Sequence, residues 1–385
     1  MRNKEINLIV KPTHECDLLC TYCYDRIEKK EVNNKFITDE LIKEIAIKSC
    51  RAFENINWIW HGGEPTLIGI EFYKRNMNII NDIAKKYNTN IKFSMQSNGK
   101  NISKNENILK ELSNLCINVS LSLDYTSKNI HRSSNDDFNN ILKIVKNNNL
   151  SIINVIEPSE FKNLIDYYKE LEYLNINFMF NRIFNQEENI SKLYEYIEDY
   201  KKYIDFILWN TNNIKDRTIK DIIKTVIGSK DILCNLTNCI GNFININPDG
   251  NIFPCDRYGK FNSKKYGFIN IKDIEFSLLE YVNSDILKNI IKDNKEFIKN
   301  NCKDCKVYLF CNGGCKANRN KNKIIDLTEK INNECVFYIE IFTYIFNILF
   351  NLKKEDYLKI NNEIYEELFE NNFITKEMIL KIEQA

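Results

Sequence analysis

Cys16-Asp-Leu-Leu-Cys20-Thr-Tyr-Cys23 places three thiols on one short loop, directly after the apolar stretch of residues 6–10. Three is the informative number. A [4Fe–4S] cluster has four irons, so three thiolates leave one iron able to take another ligand, whereas a fourth cysteine would close it. A zinc knuckle or a set of buried thiols would also account for the cysteines. Three closely spaced cysteines without a nearby fourth ligand nevertheless make a poor structural zinc site. The stretch ahead of the loop reads as a strand ended by Lys11-Pro12, which sets the thiols at a strand C-terminus.

Outward from this loop, extended apolar stretches recur at residues 6–10, 57–60, 91–95, 118–123, 151–156 and 177–180, and each but the last precedes a segment with helical spacing. Tyr73, Met77, Ile80, Ala84 and Tyr87 share one predicted helical face, as do Phe138, Ile141, Leu142 and Val145. Six such units predict an α/β fold, a partial (β/α)6 TIM-type barrel whose active residues lie at the strand C-terminal ends. We read residues 1–190 as this core and residues 191–230 as a helical bridge. Residues 231–340 follow as a small cysteine-rich α+β domain, and residues 341–385 as a helical extension. Pro248-Asp249-Gly250 predicts a turn between two short strands. Beyond Cys335, residues Tyr338, Ile341, Ile345, Ile348 and Leu352 fit one apolar helix face.

The 385 residues carry 54 Lys plus Arg against 53 Asp plus Glu, so no net field favours nucleic acid or an anionic membrane. The N-terminus has no apolar run long enough for a signal peptide. The most apolar C-terminal segment, residues 339–350, is broken by Glu340, Thr343 and Asn347 and falls short of the roughly 18 residues a spanning helix needs. A cytoplasmic protein is expected. Its thirteen cysteines are hard to explain as disulfides, because a reducing compartment keeps thiols free and the count is odd. Metal ligation is the better account. Beyond the loop and its three thiols, eight more cysteines lie in residues 231–340, and Cys50 and Cys116 are expected to be buried apolar thiols in core elements.

The cysteine loop after a first strand resembles the hallmark of the radical S-adenosylmethionine (SAM) superfamily. His61-Gly62-Gly63-Glu64-Pro65 at the end of the second strand matches the family's GGE motif, whose glycines let backbone approach a ligand. Gln96-Ser97-Asn98-Gly99 follows the third strand, and Ser122-Leu123-Asp124 ends the fourth, ahead of Ile130-His131-Arg132. The resemblance implies that Cys16, Cys20 and Cys23 hold a SAM-binding cluster. It implies SAM contacts from Gly62, Gly63, Glu64, Pro65, Ser97, Asn98 and Ser122, with Tyr22 near the adenine and Arg132 toward the carboxylate. The familiar arginine stands two residues after the histidine, whereas Arg132 follows His131 directly. The implied chemistry is reductive cleavage of SAM to a 5′-deoxyadenosyl radical that removes a hydrogen atom from substrate.

The later cysteines, Cys234, Cys239, Cys255, Cys302, Cys305, Cys311, Cys315 and Cys335, resemble the SPASM domain. By that resemblance Cys234, Cys239, Cys255 and Cys315 hold one auxiliary [4Fe–4S] cluster, and Cys302, Cys305, Cys311 and Cys335 hold a second, outer one. Three clusters in all are expected. A pair of zinc sites is the alternative, since CxxC spacing is also that of zinc ribbons. Asp256, directly after Cys255, matches the aspartate of anaerobic sulfatase-maturating enzymes that takes a proton from the substrate radical. Pairing with Arg257 or capping a turn would explain it equally well.

Three functions are weighed. The first is a maturase that installs a thioether or carbon–carbon crosslink, or another oxidation, in a ribosomally made peptide. The second is a sulfatase-maturating enzyme that oxidises Cys or Ser to formylglycine. The third is a non-catalytic iron–sulfur carrier, which predicts no SAM cleavage. The first is placed ahead because SPASM proteins are mainly peptide maturases and residues 23–27 look more like theirs, a warrant by association. The expected partners are a peptide or protein substrate, a separate leader-binding protein, and an external flavodoxin- or ferredoxin-type electron donor.

Overall fold

The structure, a computed structural model, describes residues 2–25, 36–128, 130–132, 137–183, 190–228, 233–237, 239–258, 266–319, 333–353, 356 and 359–370. Residues 26 and 27 of the stretch compared above, and residues 371–385 of the extension, lie outside the described residues. The chain groups into two compact units, each built from two stretches. The first comprises Met1–Ile153 and Cys239–Glu296, and the second Asn154–Asn238 and Phe297–Ala385.

In the first unit the expected alternation of strands and helices is seen from its start. Strand β1 (Asn3–Thr13) buries Ile6, Leu8 and Val10 on one face, and the alternation sends Asn7, Ile9 and Lys11 to the other. Helix α1 (Asp39–Ala52) follows, opened by the Thr38 side chain accepting from the Leu41 N–H, with Asp39 and Glu40 in its first turn. Strand β2 (Phe53–Gly62) pairs parallel with β1, Leu8 opposite Trp58 and Val10 opposite Trp60. Helix α2 (Ile70–Tyr87) and strand β3 (Asn90–Ser97) come next, then short helices α3 (Lys100–Lys104) and α4 (Asn107–Asn114) and strand β4 (Ile117–Ser122). Helix α5 (Phe138–Asn147) returns to strand β5 (Ile152–Ile156), whose Ile152 pairs with Leu121.

All of these pairings are parallel, so the strand ends that carry the cysteine loop, the Gly-Gly-Glu turn and the two serine motifs lie at one edge of the sheet. Trp58 and Trp60 are fully buried, and Trp60 packs edge-on against Tyr73 at 5.3 Å, locking β2 to the apolar face of α2. On the far side of β1 the chain adds β7 (Phe243–Ile246) in parallel, then β8 (Asn251–Phe253) and β9 (Ile269–Asn270) antiparallel. The expected turn at residues 248–250 joins β7 to β8. This pairing brings Cys255 and Asp256, distant in sequence, into the unit that holds the cysteine loop.

The second unit holds helices α6 (Leu164–Tyr173), α7 (Ile190–Asn210) and α8 (Arg217–Ile227) and strand β6 (Phe178–Arg182), whose following Ile183 donates to the Ile156 carbonyl at 3.0 Å. Its long C-terminal helix, Asn333–Phe350, buries Tyr338, Ile341 and Ile345 as expected. Leu349 is fully buried where Ile348 was expected, and Leu352 lies past the helix end. Two further details depart from the sequence reading. Ile144 joins Phe138, Ile141 and Val145 in the buried face of α5, with Leu142 only half-buried. Cys50 is fully buried, but Cys116 is exposed with φ 57°, because the tight turn from α4 into β4 puts it in a left-handed conformation outside the core.

Asp216, at the N-cap of α8, accepts from the Thr218 N–H at 2.9 Å, the Phe180 N–H at 3.2 Å and the Tyr203 hydroxyl at 3.1 Å. Burial nonetheless pushes its pKa up, from 3.8 to about 7. A folded-state value above the unfolded one gives stability that is present in acid and lost as pH rises through the folded value. Between about pH 6 and about pH 8 this removes roughly 1.4 kcal/mol. Urea midpoints should therefore fall over that range, and Asp216→Asn should flatten the trend.

Candidate active site

The cysteine loop is held by backbone from the adjoining strand end. The Gly63 N–H donates to the Thr13 carbonyl at 2.9 Å and the Glu64 N–H to the Glu15 carbonyl at 2.8 Å. So close an approach leaves no room for side chains. A Cβ on Gly63 would sit 2.2 Å from the Glu15 oxygen and 2.5 Å from that of His14, and Gly62, at φ 120°, would meet the Thr13 oxygen at 2.4 Å. Gly63→Ala must displace the segment entering the loop. Overpacking of this kind typically costs roughly 1–3 kcal/mol. Iron retained after anaerobic reconstitution should fall, with a lowered Tm.

Within the loop, Cys16 Sγ accepts from the Leu18 N–H at 3.4 Å and stands 3.8 Å from Asn98 Nδ2, while the Cys23 N–H donates to the Cys20 carbonyl at 3.3 Å. Burial pushes the Cys16 thiol up to about 11 and raises Cys20 as well, with Arg132 opposing the rise at Cys20. Buried thiols resist ionising unless a cationic centre takes the charge, so the donor set fits an iron–sulfur cluster. Among the described residues no group of three or more His, Cys, Asp or Glu side chains is drawn together tightly enough for a single metal ion. A cubane distributes its thiolates over separate irons.

Glu64 is fully buried, and burial raises its pKa against four donors. Its Oε1 accepts from the Thr66 N–H at 3.0 Å, the Thr66 hydroxyl at 2.6 Å and the Ser97 hydroxyl at 2.9 Å, and its Oε2 from the Asn98 N–H at 2.7 Å. The carboxylate thus ties the second strand end to the third. Pro65 opens the next turn, and its carbonyl accepts from the Tyr73 hydroxyl at 2.7 Å. Asn98 Nδ2 donates to Asp17 at 2.8 Å, and the Ser122 hydroxyl accepts from Gln96 Nε2 at 3.0 Å. Tyr22 donates its phenol to Asp124, and Arg132 Nη1 donates to that phenol at 3.1 Å, 3.9 Å from Asp124. This buried triad sets a cation beside the loop.

A second buried charge network centres on Asp256. Lys11, with no exposed surface, pairs with Asp256 Oδ1 at 2.7 Å and with Asp25 Oδ1 at 2.6 Å. His14 Nδ1 lies 3.1 Å from both Asp25 oxygens, and the Tyr24 hydroxyl donates to Asp256 Oδ2. His61 Nδ1 stands 3.2 Å from Asp256 Oδ2, within ion-pair distance but off hydrogen-bond alignment. Burial disfavours the Asp256 charge, but Lys11 and His61 outweigh it and hold the carboxyl well below its usual range. Asp25 is held at about 2 against burial, chiefly by Lys11. His61 moves the other way, because the facing Asp256 overcomes burial and raises it. Lys11, His14, Tyr24 and Asp25 were not marked as functional in the sequence. The available signal was a lysine at the end of an apolar strand, just ahead of the cysteines.

In the second unit, Cys302, Cys305, Cys311 and Cys335 line one cavity of about 440 Å³, together with Gly313 and Gly314. Successive turns gather the first three: the Cys305 N–H donates to the Cys302 carbonyl at 3.1 Å and the Gly314 N–H to that of Cys311 at 2.7 Å. Burial pushes the Cys311 thiol up to about 11, again a donor set that fits a cationic centre. Cys315 is not in this lining. Of the other expected set, Cys239 and Cys255 belong to the first unit and Cys234 and Cys315 to the second.

Residues 10–153, which span the cysteine loop, the Gly-Gly-Glu turn and both serine motifs, match the family model of the Radical SAM superfamily. The chain carries a radical SAM domain over these residues. It is 29% identical over 353 residues to the cysteine-type anaerobic sulfatase-maturating enzyme of Clostridium novyi, covering 83% of this chain and 90% of that protein. The serine-type enzyme of Bacteroides thetaiotaomicron is 22% identical, with 91% of this chain and 92% of that protein covered. Among solved structures, native anSMEcpe with bound AdoMet and Kp18Cys peptide superposes with a TM-score of 0.72 at 23% identity, covering 90% of this chain and 98% of that one. This last likeness concerns the fold. Among the described residues no helix is long and apolar enough to cross a membrane.

Proposed function

We propose that the chain is an anaerobic sulfatase-maturating enzyme of the cysteine type, which oxidises a cysteine of a protein substrate to formylglycine. The observation that carries this reading is the likeness to the Clostridium novyi enzyme over 83% of this chain, together with Asp256 paired with Lys11 in the unit that holds the cysteine loop. The relatives favour this alternative over the peptide crosslinking that the sequence analysis placed first.

In this reading Cys16, Cys20 and Cys23 hold the SAM-binding cluster, Cys302, Cys305, Cys311 and Cys335 the outer auxiliary cluster, and Cys234, Cys239, Cys255 and Cys315 the other. When bound, these groups and SAM supply hydrogen-atom removal from the substrate and a sink for the second electron. Glu64 orders Ser97 and Asn98 at the SAM side, and the Arg132–Asp124–Tyr22 triad braces the loop from its other flank. Asp256 accepts the substrate's thiol proton as the second electron leaves, and the thioaldehyde so formed takes up water and releases hydrogen sulfide to give the formylglycine aldehyde. A carbon radical next to sulfur becomes a strong acid as its electron leaves, so the carboxylate need only be ionised and well placed, and Lys11 and His61 keep it so.

The test is anaerobic incubation of the reconstituted enzyme with SAM, dithionite and a sulfatase-motif peptide carrying Cys or Ser at the target. The Cys peptide should yield an aldehyde that reacts with a hydrazide probe. A crosslinked product without aldehyde would return the peptide-maturase reading to first place.

A further inference from the structure

A lysine and a histidine flank Asp256, and the histidine also reaches toward the strand ends expected to meet SAM. His61 closes β2, and its Nε2 stands 3.1 Å from Gln96 Oε1. The Gln96 amide nitrogen donates to Ser122 Oγ at 3.0 Å, which leaves the amide oxygen facing the ring and suited to accept from an Nε2–H. The other ring nitrogen, Nδ1, lies 3.2 Å from Asp256 Oδ2. A bare Nδ1 lone pair against a carboxylate would be repulsive, whereas an N–H there is attractive. A run of side chains, Ser122 to Gln96 to His61 to Asp256, therefore crosses neighbouring strand ends and stops at the carboxylate.

We propose that His61 is the positioning residue for Asp256: its Nδ1–H anchors Oδ2, and Gln96, fixed by Ser122, sets the ring angle. The inference rests on Asp256 being the proton acceptor proposed above. Lys11 holds Oδ1 at 2.7 Å from the opposite side, and the Tyr24 hydroxyl shares Oδ2. Losing His61 leaves the carboxylate paired with Lys11 at Oδ1 and with the Tyr24 hydroxyl at Oδ2 but without its contact on the Gln96 side, so aim suffers more than ionisation.

The experiment compares His61→Ala, His61→Asn and Asp256→Asn in the full chain with reconstituted clusters. The readout is the ratio of 5′-deoxyadenosine released to Cys peptide oxidised, with iron content and Tm as checks on folding. Asparagine suits the rescue because its amide nitrogen overlies the position of Nδ1. His61→Ala should raise the ratio roughly tenfold or more, as misaimed radicals are quenched without proton transfer. His61→Asn should bring it back to near the wild-type value, with the KM for peptide little changed in both. Three outcomes overturn the proposal. If Asp256→Asn still makes product, the acceptor reading falls and this inference with it. If Asp256→Asn makes none but His61→Ala keeps the wild-type ratio, the His61 assignment alone is wrong. If Asn is as uncoupled as Ala, the ring's bulk matters and its hydrogen bond does not.

Discussion

Replacing Cys20 by alanine should end the reductive cleavage of SAM. Cys20 is the middle thiol of the three, buried at 9% exposure, with Arg132 as its nearby cation. Losing it leaves two thiolates for a cubane that needs three. Removing even an outer-shell partner of a metal site costs roughly 10–100-fold in affinity or activity, so a lost ligand should exceed a hundredfold. The change should show as 5′-deoxyadenosine falling to the detection limit and as loss of about one cluster's worth of iron. The cavity lined by Cys302, Cys305, Cys311 and Cys335 lies in the other unit and should keep its iron. Persisting SAM cleavage in this variant would place the catalytic cluster elsewhere.

The second large effect is expected at Asp256. Asp256→Ala should let 5′-deoxyadenosine form while oxidised peptide falls by roughly 10²–10⁴-fold, the usual contribution of a positioned acid–base group. The same change leaves Lys11 with Asp25 as its remaining carboxylate partner of those seen here, 2.6 Å away. A modest fall in stability should accompany it, because a buried cation loses half of its compensation. Asp256→Asn separates the two effects, since it keeps volume and removes only the charge. Full product from either variant would take Asp256 out of the mechanism. A pH series offers no simple alternative, because the carboxyl is held ionised well below its normal range.

The parts of this arrangement that were legible in the sequence are local ones. Strands show through two-residue alternation, so Ile6, Leu8 and Val10 announce β1, and the thiols that follow announce a metal site. The Gly-Gly-Glu turn and the serine motifs are likewise short strings at strand ends. What stayed hidden depends on closure over distance. Lys11 meets Asp256 only because β7 pairs with β1 and carries residues 255 and 256 back to the cysteine loop. The occupation of Glu64 by Thr66, Ser97 and Asn98, and the engagement of Arg132 with Tyr22, are also tertiary facts. Cys116 was misread because a residue beside apolar neighbours can still lie at a turn whose φ turns it outward. The target residue was not legible at all, since clusters and SAM define how a hydrogen atom leaves and not which carbon loses it.

One measurement bears most directly on the claim that this site takes a hydrogen atom from the β-carbon of a peptide cysteine. The reconstituted enzyme would be incubated anaerobically with SAM, dithionite and a sulfatase-motif peptide whose cysteine is deuterated at Cβ, and the mass of the released 5′-deoxyadenosine read. Deuterium in the nucleoside, matched by oxidised peptide, is the predicted result. Nucleoside that stays unlabelled while the peptide is modified would contradict it and move the reaction to another carbon.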